Sequence, residues 1–212
     1  MHRRTYLAAV GTAASAALAG CTDGATETPP TGASTGTPGQ RPTDTPSGPP
    51  TTLRNPSFED GLAGWDIGRD LPTDPGNPDE KVDASVTATD ERANTGTSSV
   101  AMTIDGSADD GTVWVAQPVD FADADRLAVR CYSPEQTFNE LAQLAVYTGP
   151  LPEGGLQEAD FDRSEQTGDH EGWKRYDYPV DVSDTGVVAV GMNIVWETTV
   201  TRWVDDIELV AD

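Results

Sequence analysis

Val187-Val188-Ala189-Val190-Gly191-Met192-Asn193-Ile194-Val195-Trp196 and, shortly after it, Thr201-Arg202-Trp203-Val204-Asp205-Asp206-Ile207-Glu208-Leu209-Val210 carry the reading of the fold. Both runs are rich in β-branched and aromatic residues, and neither sustains a helical period of about 3.6 residues. Shorter runs of the same character precede them at residues 82–88, 100–104, 112–119, 126–132, 141–147 and 173–182. Gly, Asp, Asn and Pro bound them, as expected of strands punctuated by turns. Only residues 134–145 leave room for a short helical turn. The class is therefore all-β. About eight to ten short strands in one domain predict a two-sheet antiparallel jelly-roll β-sandwich.

Two stretches between these runs read as loops, 68–81, rich in Pro and Asp, and 149–172, long and acidic. Loops beyond about 12–15 residues are usually functional or mobile. Residues 22–52 are nearly all Thr, Pro, Gly, Ser and Ala, a composition that cannot bury a core and reads as a disordered linker. Its coil dimension is about 30 Å, rising toward roughly 95 Å when extended. Asn55-Pro56-Ser57 has proline in the middle position, so it is not an N-glycosylation acceptor.

Before the linker stand Arg3-Arg4-Thr5-Tyr6-Leu7, a short apolar run, and Leu18-Ala19-Gly20-Cys21. The run is too short to cross a hydrocarbon core of about 30 Å as a helix. It resembles the twin-arginine signal and lipobox of a prokaryotic lipoprotein. The resemblance implies cleavage before Cys21, a lipid on its sulfur, and an extracytoplasmic protein held at the outer face of the membrane. A cytoplasmic chain with an Ala-rich start is the alternative. The expected organisation is a signal peptide at 1–20, a lipid-anchored linker at 21–52 and a β-domain at 53–212.

Two of the 13 basic residues, Arg3 and Arg4, precede Cys21 while none of the 36 acidic ones does, which leaves 11 against 36 after cleavage. Phosphates would be repelled by such a surface, so nucleic acid is excluded as a partner. Scarce lysine with abundant Asp, Glu, Thr, Val and Ala looks like proteins of halophilic archaea. At about 1 M salt the Debye length is roughly 3 Å, and carboxylate repulsion is then largely screened. Cys131 alternates with apolar neighbours in its run and reads as a buried, inert thiol.

Four motifs frame the β-domain: Asn55-Pro56-Ser57-Phe58-Glu59-Asp60-Gly61-Leu62-Ala63-Gly64-Trp65, Asn94-Thr95-Gly96-Thr97-Ser98-Ser99-Val100-Ala101-Met102, Gly172-Trp173-Lys174-Arg175-Tyr176 and Trp203-Val204-Asp205-Asp206-Ile207-Glu208-Leu209. In this order they resemble the calcium-bearing, galactose-binding-like jelly-roll carbohydrate-binding modules. That resemblance implies a non-catalytic domain that recognises a glycan. It also implies a structural Ca2+ between the terminal strands, held by Glu59 and Asp205, with Asp206 as the alternative, and by carbonyls around residues 95–98. Calcium takes six to eight oxygens at about 2.3–2.6 Å, which carboxylates and carbonyls supply. The competing reading has Glu59 and Asp205 accepting hydrogen bonds from loop amides.

Sugar modules stack flat aromatic faces on pyranose rings. Trp65, Trp173 and Trp203 belong to the framing motifs and are assigned to the core. Trp114, Trp196 and Tyr147 have polar or loop neighbours and are the candidate ligand-binding residues, with core packing as the alternative for each. His170 sits in a Gly- and acid-rich loop and reads as solvated. No Gly-x-Ser-x-Gly elbow and no His/Cys zinc spacing is present. An enzyme is therefore not expected. Besides glycan binding, the sequence admits an envelope adhesion module with a protein partner and, more remotely, a glycoside hydrolase or polysaccharide lyase.

Overall fold

The computed structural model describes residues 52–134, 141–195 and 199–211. Cys21 with its signal and linker, Trp196, and the middle of the 134–145 stretch lie outside the described residues.

Antiparallel strands form two sheets and a small hairpin. The first sheet has the order β1-β6-β10-β8, with β1 at Asp66–Asp70, β6 at Thr112–Asp120, β8 at Ala142–Gly149 and β10 at Thr185–Ile194. The second has the order β4-β5-β11-β7-β9, with β4 at Ala84–Thr89, β5 at Ser99–Ile104, β7 at Arg126–Ser133, β9 at Gly172–Pro179 and β11 at Val200–Val210. From β6 onward each strand lies in the sheet opposite its predecessor, which is the jelly-roll path. The expected all-β sandwich is the observed one.

Alternation builds the core. In β5, Val100, Met102 and Ile104 are buried, while Ala101 and Thr103 face outward. Val113, Val115 and Val119 of β6 and Val188, Val190, Met192 and Ile194 of β10 meet them from the first sheet. Cys131, also in this core, is fully buried, and burial pushes its thiol up to about 12. One end of the interior is polar: Arg202 Nε donates to Thr167 Oγ1 at 2.9 Å, and Ser133 Oγ donates to the Thr167 carbonyl.

The segment entering the domain is tied to both sheets. The Gln117 amide of β6 pairs with the Arg54 backbone in both directions, accepting at 2.9 Å and donating at 3.1 Å. Ile207 N of β11 donates to Pro56 O at 3.0 Å. Phe58 and Trp65 pack at 5.4 Å between ring centroids, with Trp65 Nε1 donating to Asn55 O.

Both expected loops contain more order than their composition signalled. The stretch at 68–81 holds the end of β1 and a hairpin of β2 (Thr73–Asp74) with β3 (Asn77–Lys81). The stretch at 149–172 carries a 3-10 turn, Glu158–Asp160, and then runs back along β8, where Val146 and Asp162 exchange backbone hydrogen bonds at 2.9 and 2.8 Å. That pairing covers an edge the sheet would otherwise leave bare.

Candidate functional site

The framing acids come first. The β11–β7 register runs regularly to Asp205 and resumes at Glu208, and Asp206 between them has φ 44°. This bulge turns both carboxylates toward the 92–98 loop. Asp205 Oδ2 accepts from Asn94 N at 2.7 Å and Thr95 N at 3.2 Å, and Oδ1 accepts from Asp206 N at 2.8 Å. Asp206 accepts from Asn94 Nδ2 and Thr95 Oγ1, both at 2.6 Å. Farther along the loop, Glu59 Oε1 accepts from Thr97 N and Ser98 N at 2.9 Å, and Oε2 from Thr97 Oγ1 at 2.9 Å. Gly96 makes this approach achievable: its φ is 63°, and a Cβ there would lie 2.4 Å from Glu59 Oε1.

The amides of Thr97 and then Ser98 hold the Glu59 carboxyl below its usual range. Asp205 goes the other way. Burial is the larger influence and pushes its carboxyl up to about 6, against the three amides. The loop turns N–H groups toward the acids, and these take up carboxylate oxygens that a calcium shell would use. Among the described residues no group of three or more His, Cys, Asp or Glu side chains is placed to hold a metal. The acids form a hydrogen-bonded clasp joining the entry segment, the 92–98 loop and β11.

Two of the proposed aromatic residues, Trp114 and Tyr147, lie on the outer face of the four-stranded sheet. Trp114 points away from the sandwich core, between Gly68 of β1 and Gly191 of β10 in register. Its indole lies over Gly68, where a Cβ would come within 2.1 Å of the ring. Yet Trp114 is only 5% exposed. Phe161 packs on it at 4.9 Å between centroids, and Leu156 and Val187 join the cluster. Phe161 also meets Tyr147 at 6.3 Å, and Tyr147 donates its hydroxyl to Pro150 O. Burial raises the Tyr147 phenol above its ordinary value, with the Asp160 charge adding to it. The 150–163 segment thus straps this face from β8 across to β1, where Glu158 N meets Asp70 Oδ2 at 3.0 Å. Arg163 and Thr112 hold the Glu158 carboxylate in place at 2.6 and 3.1 Å. Beside the strap remains a cleft of about 320 Å³ lined by Trp114, Leu151, Leu156 and Val187 among others.

The opposite outer face, on the five-stranded sheet, carries a second aromatic set. Register places Trp203 of β11, Tyr132 of β7 and Trp173 of β9 in one row across three adjacent strands. Tyr132 packs edge-on to Trp173 at 5.5 Å and to Trp203 at 5.7 Å. The Arg92 guanidinium lies 4.4 Å from the Tyr132 centroid and 4.8 Å from that of Trp203, and Arg92 Nη1 donates to Tyr132 Oη at 3.1 Å. Trp203 is buried beneath this cover, whereas Tyr132 and Trp173 are half-buried. The next row on the same face contains Asp205, Arg130 and Arg175. There Arg130 and Arg175 line a cleft of about 260 Å³ with Asn94, Thr95, Asp206 and Glu208.

The core assignment made from sequence holds for Trp65. Trp203 is buried but lies outside the sandwich core, and Trp173 is a half-exposed outer-face residue. The physical reason is parity, since Tyr176 and Tyr178 of β9 point inward and put Trp173 on the other side. His170 is also not a free loop residue. Its Nδ1 is 2.9 Å from Asp169 Oδ1 and 3.5 Å from Tyr176 Oη. That hydrogen bond and one from Lys174 keep the Asp169 carboxyl low. Tyr132, Arg92, Arg130 and Phe161 went unnoticed in the sequence. Tyr132 had a usable signal, because a strand that buries Cys131 must turn its neighbour outward.

No family model matches the chain, and no curated protein matches it. Among solved structures it is similar to TmCBM61 in complex with β-1,4-galactotriose, at 18% identity and TM-score 0.48, over 76% of this chain and 97% of that one. It is similar to the CBM22-1 xylan-binding domain of Paenibacillus barcinonensis Xyn10C, at 15% identity and TM-score 0.46, over 78% and 99%. It is also similar to the enzymatically active domain of bacteriophage CBA120 tailspike protein 4, at 10% identity and TM-score 0.48, over 76% and 21%.

Proposed function

We propose that this chain is a non-catalytic glycan-binding module, displayed outside the cell on a lipid at Cys21 and the Thr/Pro/Gly-rich segment that follows. The observation that carries the reading is the Trp203–Tyr132–Trp173 row on the outer face of the five-stranded sheet. A pyranose offers an apolar C–H face and a polar rim, and a half-exposed indole bordered by charged groups complements both. Trp173 supplies that indole, since Arg92 stacks on the other two rings and leaves it free. Neighbouring strands are about 4.8 Å apart, so the row spans roughly 10 Å, the scale of a short run of sugar rings. Arg92, Arg130 and Arg175 provide donors for ring and substituent oxygens beside it.

Affinity electrophoresis of the full chain against a panel of polysaccharides tests the reading. Trp173→Ala is expected to weaken binding at least tenfold with an unchanged melting midpoint. Equal binding by Trp173→Ala, or release of reducing sugar by the wild type, would refute it. Cys21→Ser is expected to move the protein from the membrane fraction into the medium.

A further inference from the structure

We propose that the outer face of the five-stranded sheet selects acidic glycans, those whose sugars carry carboxylate or sulfate groups, through Arg130 and Arg175. The inference rests on the glycan-binding reading above and names the class of ligand.

The chain has 13 Lys and Arg against 36 Asp and Glu, yet Arg92, Arg126, Arg130 and Arg175 all stand on this face. Arg130 and Arg175 are direct cross-strand partners in the β7–β9 register. Like charges placed directly opposite one another destabilise a sheet. The nearby acids answer this only in part. Asp177 accepts a forked pair from Arg175 at 2.8 and 3.0 Å and also faces Arg126 at 3.4 Å. Asp205, the other register partner of Arg130, is committed to the 92–98 loop. The Arg130 guanidinium makes no hydrogen bond or salt bridge with any described residue, and its charge reaches Asp177 only as the weaker neighbour after Arg175 and Arg126. A half-buried guanidinium with five donors therefore faces the cleft beside a second one.

Tyr132 and Trp173 stand two residues along from Arg130 and Arg175 on the same face, about 7 Å away at the pleat repeat. A sugar stacked on Trp173 thus brings a ring substituent over the arginine pair. An oxyanion held there accepts forked hydrogen bonds and removes the repulsion between the two guanidiniums. Glu208, exposed in the same cleft, repels an anion that shifts toward it and so fixes its position. The overall negative charge does not prevent this in strong salt. At about 1 M the screening length is roughly 3 Å, so distant carboxylates are silenced while contact pairs remain.

The test is binding of the full chain in 1 M KCl to polygalacturonate, its methyl ester, a sulfated galactan and unsubstituted galactan. The acidic polymers are expected to bind at least tenfold tighter than their neutral counterparts, and Arg130→Gln and Arg175→Gln each to abolish that preference. Preference for polygalacturonate alone assigns the site to carboxylates, and preference for the sulfated polymer alone to sulfate. Equal binding of acid and ester in the wild type overturns the inference, as does a preference that survives Arg130→Gln. Neutral binding that depends on Trp173 would leave the glycan reading standing in that event. Absence of binding to all four polymers sinks the inference at this face.

Discussion

Burial holds the Asp205 carboxyl at about 6 against an ordinary 3.8, although three backbone N–H groups point at it. Between those values the folded chain keeps a proton that the unfolded chain has released, so stability falls as pH rises through the window. The full effect is on the order of 3 kcal/mol. Glu59 carries the opposite sign. Its lowered carboxyl contributes stability above its ordinary 4.5 that is lost as pH falls through the folded value. The decline above pH ~5 therefore belongs to Asp205. Urea unfolding from pH 4 to 7 is expected to show a falling midpoint in the wild type and a flatter profile in Asp205→Asn. The same experiment addresses calcium: with N–H groups on the carboxylate oxygens, added calcium is expected to leave the midpoint unmoved at pH 7. A rise seen in the wild type and absent from Asp205→Asn would instead put an ion in the clasp.

At the scale of elements, the strap over the four-stranded sheet explains why β10 is apolar on both sides. Val188 and Val190 face the sandwich core, while Val187 and Ala189 face a second cluster under Phe161. Phe161→Ala is expected to cost about 3 kcal/mol in denaturant unfolding and to expose Trp114 to iodide quenching. Unchanged quenching would show that the strap is not held by Phe161. The sequence made eight of the strands legible within a residue or two at most ends, because they bury alternate apolar residues, Val, Ile, Leu or Met in most and Tyr176 and Tyr178 in β9. It did not reveal β1, whose Asp-Ile-Gly-Arg-Asp is largely exposed and owes its place to pairing with β6. The aromatic row stayed hidden for a related reason. Trp203, Tyr132 and Trp173 are far apart in the chain, and only the register of three strands brings them together. Trp114, a ligand-binding candidate with core packing as its alternative, faces away from the sandwich core, but its cover comes from Phe161, 47 positions later.

For the whole molecule, charge sets the conditions of folding. With a net formal charge of −23, self-repulsion opposes compaction until salt screens it. The melting midpoint followed by circular dichroism is expected to climb steadily as KCl rises toward molar concentrations. A midpoint independent of KCl would show that the acidic surface is no adaptation to salt. The strap and the half-exposed aromatic row also make the domain one-sided, with one sheet partly covered by its own chain and the other left more open. The entry segment adds a mechanical property to this plan. Arg54 is paired with Gln117 in the first sheet, while Pro56 and Glu59 are held by β11 and the 92–98 loop of the second. Tension arriving from the N-terminal side therefore divides between both layers and loads several hydrogen bonds at once in shear. A domain pulled by a captured polymer at one end and by its own leading segment at the other would resist unzipping strand by strand.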